Sequence, residues 1–143
     1  VETAFGQQSL WGLDELPGAA DADIASDDQL EELKAAFRRT RYANKEPVAV
    51  EHPFSVVIGG RVVNGRIDAV FAEGDRWEVV DWKTGGTASV DPRQLAIYRL
   101  AWAQTHGVHW RDVDAAFVMI ATGEELRPNT DAEVRELLAV GGA

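Results

Sequence analysis

The chain has 143 residues, of which 45% are hydrophobic and 27% are charged, with a formal net charge of -10 and no cysteine. This length and composition are typical of one soluble globular domain. The lack of cysteine excludes disulfides, thiolate catalysis and an iron–sulfur cluster within the chain. The acidity argues against a protein that binds nucleic acid through charge alone. Because the sequence has no apolar run of membrane-spanning length and no signal peptide, we expect a cytoplasmic protein without a membrane partner.

Charge is unevenly distributed along the first third of the chain. No Lys or Arg occurs between Asp14 and Glu32. Residues 13–26, which Pro17-Gly18 interrupts, predict an acidic loop or insertion. The basic cluster that follows favours the last turn of a helix, and a phosphate-contacting patch is the alternative. This cluster consists of Lys34, Arg38, Arg39, Arg41 and Lys45.

A helix and a β-hairpin are the first elements that the sequence predicts. Leu30, Leu33 and Phe37 recur at helical spacing after a capping-box pattern, which predicts a helix over about 27–41. From residue 47 the period changes to two, with apolar residues alternating along a half-buried strand up to residue 58. Gly59-Gly60 then predicts a hairpin turn.

The remaining elements alternate between strands and helices. A second strand is predicted over 61–72, and a tight turn separates it from a third strand over 76–83. Asp91 caps a helix that runs to about 104, with Gln94 at the capping-box position. A buried fourth strand follows over 115–121, and Thr130 begins a final helix that ends near Val140. This order predicts an α/β fold, in which helices flank a mixed sheet of three antiparallel strands and a parallel fourth.

The third predicted strand ends in Asp81-Trp82-Lys83, where charges interrupt an apolar run. Residues two apart on a strand share a face, so Asp81 and Lys83 point the same way while Trp82 points into the core. If the second and third strands pair through their tight turn, Asp68 approaches Asp81 across the ladder. Neighbouring carboxylates repel unless a cation lies between them, and Mg²⁺ is commonly held by one or two carboxylates. The pattern therefore predicts a metal and phosphate site with Lys83 beside it.

Each of these signals also has a purely structural interpretation. Gln94 and Tyr98 share one helix face, where they could contact a polar substrate or form an ordinary polar surface. An Asp-x-Lys at a strand end is most often a solvated ion pair. Glu51 is equally compatible with an exposed strand position. What favours a functional interpretation is the conjunction of the motifs in one order.

Three motifs carry a resemblance to a known family: Gly65 to Asp68, Asp81 to Gly85, and Gln94 to Tyr98. In this order they resemble the PD-(D/E)xK nuclease superfamily, and most closely the RecB-type nuclease domains of UvrD-like bacterial helicases. The resemblance covers roughly residues 48–121. It implies a restriction-endonuclease-like mixed sheet flanked by helices, which agrees with the elements predicted above.

The resemblance also implies roles for individual residues. Asp68 and Asp81 would be metal ligands and catalytic residues, with the backbone carbonyl of Trp82 as a further ligand. Lys83 would be the catalytic lysine, which orients a water and offsets the charge that develops on the phosphate.

Residues outside the central motif receive supporting roles from the same resemblance. Gln94 and Tyr98 would bind the DNA substrate, and Glu51 stands where such domains often carry an acidic residue. One departure from the family pattern is visible. RecB-type domains commonly carry a metal-binding histidine on an upstream helix, and nothing in this sequence matches it.

The function implied is that of a Mg²⁺-dependent deoxyribonuclease, an exonuclease in the RecB manner, with Mn²⁺ as a possible substitute. Its partners would be DNA and a helicase motor, in the same chain or in a partner subunit, and its role the processing of DNA ends in recombination and double-strand-break repair. We expect residues 1–143 to form one nuclease domain, the C-terminal fragment of a longer chain. The alternatives are a catalytically inactive nuclease-like domain for DNA binding or assembly, and an unrelated α/β interaction domain.

Overall fold

The computed structural model describes residues 27–84 and 90–139, so the predicted acidic loop at 13–26 lies outside the described residues. The elements follow one another in nearly the predicted order. They are α1 (Asp27–Arg38), β1 (Ala49–Ile58), β2 (Arg61–Glu73), β3 (Arg76–Lys83), α2 (Pro92–His106), a short 3-10 turn (Trp110–Asp112), β4 (Val113–Met119), β5 (Glu124–Leu126) and α3 (Asp131–Ala139).

The strands form one five-stranded sheet in the order β1-β2-β3-β4-β5. β3 and β4 are parallel, and every other neighbouring pair is antiparallel. Helix α2 is the crossover that a parallel pair requires. The predicted mixed sheet is therefore confirmed. β5 was not predicted, because three residues that include two glutamates carry no usable periodicity.

The fourth strand begins two residues earlier than predicted. The apolar run starts at Ala115, but pairing extends back to Val113, which lies opposite Trp77. An ion pair explains the extension, because the guanidinium of Arg76 donates to both carboxylate oxygens of Asp114 at 2.8 and 2.9 Å. A charged residue at a strand edge is thereby kept in the ladder.

Helix α1 ends at Arg38 rather than near residue 41. Its last carbonyls accept i→i−3 bonds, from Arg39 N to Ala36 O and from Thr40 N to Phe37 O. Arg39, Arg41 and Lys45 consequently lie beyond the helix, so the last-turn interpretation is wrong for these three residues. Arg41 pairs with Glu78 and Glu125, and Lys45 pairs with Glu73.

Two hydrophobic cores lie on opposite faces of the sheet. The α2 core lies beneath helix α2, and the α1 core lies against helix α1. Trp82 points into the α1 core, as predicted, with edge contacts to Phe37 and Tyr42 at 5.5 Å between ring centroids. The members of the α2 core include Val79, Leu95, Leu100, Trp102 and Phe117.

The α1 side of the sheet also buries a carboxylate, Glu78, which is only 5% exposed. Arg127 donates to it at 2.6 Å, Arg41 at 3.1 Å and the Tyr42 hydroxyl at 3.1 Å. A buried charge is tolerated only with such partners.

Among the described residues, no helix is long and apolar enough to cross a membrane.

Replacement of Arg127 tests the importance of this network. We expect Arg127→Ala to lower the free energy of unfolding in urea by about 1–3 kcal/mol, because a buried carboxylate loses a charged donor. The matched control is Arg61→Ala, at an exposed hairpin position. Equal losses in the two variants would contradict this account of Glu78.

Candidate active site

The candidate site lies where strands β2 and β3 of the sheet separate, a position here called the fork. The ladder between β2 and β3 stops at the Ala69–Val80 pair, although β3 continues to Lys83 in register with β4. β2 continues instead with β1 alone, as a hairpin arm formed by residues 53–58 and 61–67. Asp68 lies at the fork, between the arm and the main sheet.

The fork also changes which face of β1 and β2 is buried. On β1, Val50 packs on the α1 core, whereas Phe54, Val56 and Ile58 pack on the α2 core. A regular strand would send all four residues to one face, so the alternation predicted for the first strand is wrong at this point. The cause is Glu51, whose backbone has a φ of 48°.

The second strand shows the same interruption opposite Glu51. Ile67 and Val70 both pack on the α2 core, although they differ in parity, while Ala69 packs on the α1 core. The Glu51–Asp68 position is also missing from a β1–β2 ladder that pairs on either side of it. In both strands, therefore, the side chains exchange faces of the sheet at the Glu51–Asp68 position. The acidic residues lie at this same position.

Asp68 and Asp81 come together at the fork, as the strand pairing predicted. The Asp68 carboxyl lies beside that of Asp81, whose charge acts on it, and its Oδ2 accepts from the backbone N–H of Trp82 at 2.8 Å. The N–H and C=O of a strand residue point to the same neighbour. The Trp82 carbonyl therefore faces the β2 side of β3, beside the carboxylate pair.

The environment of the pair favours the protonated form of Asp68. Burial and then the charge of Asp81 raise the pKa of Asp68 to about 8, against the lowering effect of the Trp82 N–H. Two anions so close together in a desolvated site are unfavourable unless a proton or a cation separates them. A divalent cation would take the place of that proton.

Lys83 lies next to this pair on the same face of β3. Its Nζ is 3.1 Å from Asp81 Oδ2 and 5.5 Å from the centroid of the Phe117 ring. Its carbonyl accepts the N–H of Ile120 at 2.9 Å, which ties the strand end to the chain beyond β4. The ammonium is thus fixed in position and mostly shielded from solvent.

Glu51 is the third carboxylate at this level of the sheet. Its negative charge contributes to the raised pKa of Asp68, and its Oε1 is 3.1 Å from Arg66 Nη1. Within the described ranges, no cluster of three or more His, Asp or Glu side chains has metal-binding geometry. Two carboxylates and a carbonyl nevertheless fit a cation such as Mg²⁺, which takes its remaining ligands from water and phosphate.

Gln94 and Tyr98 lie at the beginning of α2. Asp91 caps this helix, as predicted, by accepting the Arg93 N–H. Gln94 does not complete a capping box, because its Nε2 donates to the Tyr98 hydroxyl at 2.8 Å. The two residues line a pocket against the hairpin arm, where Tyr98 meets the edge of Phe54 at 5.9 Å between ring centroids.

That pocket was not predicted, although one residue in the sequence signals it. Gly65 stands in the middle of a strand, a position that often marks close approach of another group. A Cβ there would lie 2.6 Å from Cζ of Phe54, so the aromatic ring occupies the space that any other side chain would fill.

Comparison with known proteins gives three findings. A sequence model of the PD-(D/E)XK nuclease superfamily matches residues 8–139. The chain is 35% identical over 80 residues to the Gene 69 protein of Mycobacterium phage D29, a match that covers 56% of this chain and 29% of the phage protein. A candidate exonuclease from Eubacterium rectale has a crystal structure similar in fold, with a TM-score of 0.54 and 16% identity, over 78% of this chain and 48% of that one.

Two substitutions at Glu51 test the conformation at the fork. A positive φ is costly for any residue with a Cβ. We therefore expect Glu51→Gly to be more stable to urea than Glu51→Ala by about 1 kcal/mol. A regular strand would give the opposite order, because glycine weakens strand interiors.

Replacement of Asp68 tests the raised pKa. Without metal, the folded chain holds a proton on Asp68 that the unfolded chain has lost, between its ordinary pKa of 3.8 and about 8. The stability that Asp68 contributes therefore falls as pH rises through this window. Relative to the unmodified protein, we expect Asp68→Asn to gain stability from about pH 4 to about pH 8, by up to about 1 kcal/mol per pH unit in urea denaturation.

The control for this measurement is Asp114→Asn. A hydrogen bond from Arg76 lowers the pKa of Asp114, so its contribution to stability is present at neutral pH and is lost towards acid. This variant should therefore lose stability relative to the unmodified protein as pH rises from acid. Added Mg²⁺ should stabilise the unmodified protein but not Asp68→Asn. Parallel pH profiles for Asp68→Asn and the unmodified protein would contradict a raised pKa.

Proposed function

This chain belongs to the PD-(D/E)XK nuclease superfamily, and on that premise we propose that it is a metal-dependent nuclease domain that hydrolyses phosphodiester bonds of DNA. The observation that carries the proposal is the pairing of half-buried Asp68 with buried Asp81 at the fork of the sheet, with Lys83 in contact with Asp81. Enzymes of this superfamily generally use divalent metal ions. We propose Mg²⁺ here, with Mn²⁺ as a substitute.

In this proposal Asp68, Asp81 and the carbonyl of Trp82 hold the cation. A proton held by this pair would compete with the cation, so metal affinity would rise with pH. A bound cation would supply Lewis acidity toward the phosphate and offset its charge. Glu51 is close enough to influence Asp68 and is tied to Arg66, so we assign it a supporting role in the charge of the site.

Lys83 acts on the phosphate and on the attacking water. The Asp81 carboxylate and the Phe117 ring hold its ammonium in place, so little reorganisation is required when negative charge develops. A further contact of the ammonium is then a phosphate oxygen or the water that attacks the phosphorus. Gln94 and Tyr98, linked to each other, bind the DNA strand beside the hairpin arm.

The biological setting is a further part of the proposal. The resemblance to RecB-type domains supports a place in a helicase–nuclease that processes DNA ends in recombination and double-strand-break repair. In such a protein this domain belongs to a longer cytoplasmic chain, and the helicase motor supplies much of the DNA affinity. A domain with a formal net charge of -10 gains little DNA affinity from its own charge, so it would depend on such a partner.

A second candidate is a DNA-binding or assembly domain that has lost turnover. It is favoured by the sequence, which has no counterpart of the upstream histidine that RecB-type domains commonly carry. The two candidates differ in one measurable respect. Only the nuclease cleaves DNA, whereas both bind it.

The deciding experiment measures cleavage of end-labelled single- and double-stranded DNA with Mg²⁺ or Mn²⁺, and with a chelator. We expect Lys83→Ala to reduce cleavage by at least about 100-fold, because a preorganised charge is lost from the site. The variant should retain thermal stabilisation by Mg²⁺, since Asp68 and Asp81 remain. Lys34→Ala, at a half-buried lysine on α1 that pairs with Glu31, is the matched control and should cleave normally.

The outcomes separate the two candidates. Cleavage that the chelator and Lys83→Ala both abolish supports the nuclease. DNA binding without cleavage under any metal condition would reject it in favour of the inactive domain. Cleavage that survives Lys83→Ala undiminished would reject the assignment of Lys83.

A further inference from the structure

Two of the three histidines of the chain, which are far apart in the sequence, come together at the base of the hairpin arm. His52 lies on β1 and His106 lies in the last turn of α2. Their ring centroids are 5.9 Å apart. Both rings contact Trp102, His106 by stacking at 3.6 Å and His52 through an edge at 5.5 Å. These three residues are here called the histidine cluster.

The ring nitrogens of the two histidines are available to a ligand. Nδ1 of His106 is 3.3 Å from the backbone carbonyl oxygen of Trp102. Because a carbonyl oxygen can only accept, Nδ1 carries the hydrogen, and Nε2 of the neutral ring is then an acceptor. A carbonyl behind a metal-binding histidine commonly fixes the tautomer and the ring orientation in this way. The ring of His52 makes no hydrogen bond within residues 27–84 and 90–139.

Trp102 adds an unsatisfied donor to the histidine cluster. The residue is 3% exposed, and its Nε1–H has no hydrogen-bond acceptor in the described part of the chain. Buried polar groups are nearly always paired, so an unpaired one often indicates a bound ion or water molecule. The cluster thus combines two ring acceptors with a buried donor that requires an acceptor.

We propose that His52 and His106 bind a transition-metal ion, with Zn²⁺ as the ion expected. Imidazole is a preferred ligand of Zn²⁺ and Cu²⁺, whereas Mg²⁺ prefers oxygen ligands such as the carboxylates at the fork. With metal–nitrogen bonds of about 2.0–2.1 Å, two imidazoles on one tetrahedral ion have ring centroids roughly 5–6 Å apart. The observed separation of 5.9 Å lies in this range.

The other ligands of the ion are water molecules. In the part of the chain that the structure describes, no group of three His, Asp or Glu side chains has metal-binding geometry. Two positions of a tetrahedral ion are therefore left to water. A metal-bound water in the cluster would accept the Trp102 N–H. His106 is exposed and His52 is half-buried, so the ion can enter from solvent.

A bound Zn²⁺ would fasten the base of the hairpin arm to α2, since one ligand lies on each element. An ion that binds only the folded chain stabilises it by mass action, so Zn²⁺ should raise the melting temperature. This proposal goes beyond the proposed nuclease and does not depend on it, because its ligands are imidazoles outside the fork.

The test uses phenylalanine variants, which keep an aromatic ring on Trp102 but remove the ligand nitrogens. Zn²⁺ binding is measured by isothermal titration calorimetry in excess Mg²⁺, which competes for carboxylate sites. We expect the unmodified protein to bind one Zn²⁺ at the cluster, and His52→Phe and His106→Phe each to lower this affinity at least about tenfold. Asp68→Asn should bind this Zn²⁺ as the unmodified protein does, which separates the cluster from the fork.

The matched control is His109→Phe, at the remaining histidine of the chain. His109 is exposed and lies before the 3-10 turn, where its Nδ1 accepts the Arg111 N–H. Its replacement should leave the Zn²⁺ affinity unchanged.

Cu²⁺ gives a second readout that does not require either ligand to be replaced. Pulsed electron paramagnetic resonance detects the remote nitrogen of each imidazole that is coordinated to Cu²⁺. In His109→Phe, His52 and His106 are the only imidazoles left in the chain. We expect two coordinated imidazoles per Cu²⁺ in this variant.

Three results would overturn the proposal. The same Zn²⁺ affinity in His52→Phe, His106→Phe and the unmodified protein would assign the ion to other residues. Loss of Zn²⁺ binding in Asp68→Asn alone would place the ion at the fork. One coordinated imidazole or none in His109→Phe would show that the two rings do not share a metal. Each of these results leaves the proposed nuclease in place, because cleavage with Mg²⁺ and Lys83→Ala tests other residues.

Discussion

The structure depends on the cost of placing two carboxylates side by side in a desolvated site. Asp68 and Asp81 meet only because the β2–β3 ladder stops at the Ala69–Val80 pair, which leaves the Trp82 N–H to a side chain instead of a backbone partner. A regular ladder would have no room for this exchange. The interrupted ladder, the raised pKa of Asp68 and the neighbouring ammonium all lessen the repulsion between these two carboxylates.

The two faces of the sheet differ in how the charges of their buried carboxylates are compensated. On the α1 side, Glu78 is surrounded by Arg41, Arg127 and Tyr42, so its charge is compensated by residues of the chain itself. On the α2 side, Asp81 pairs with Lys83, and a second acidic group, Asp68, lies beside it. Two neighbouring carboxylates beside an ammonium are typical of a functional site and favour a bound cation.

Sequence periodicity predicted most of the fold, because long strands and a capped helix leave clear signals. It predicted the approach of Asp68 to Asp81, since strand parity and a tight turn determine which residues meet. It did not predict that side chains exchange faces of the sheet at Glu51, because a positive φ in a non-glycine residue has no local sequence signature. The pocket that Gln94 and Tyr98 line was missed for a related reason: it depends on how Phe54 lies over Gly65, which is a tertiary contact.

Because of the fork, the hairpin arm is not paired with β3 and projects from the main sheet as a separate two-stranded ribbon. Within the described residues, the two strands of the arm pair only with each other, and α2 contacts the arm through its apolar face and a hydrogen bond from Gln104 Nε2 to the Val57 carbonyl. Asp81 and Lys83, in contrast, belong to a strand that pairs with β4 up to its last residue. A ligand shared by Asp68 and Asp81 would therefore join the arm side of the fork to the main sheet. Binding at the fork and the position of the arm would then be linked, because one carboxylate lies on each side of the junction.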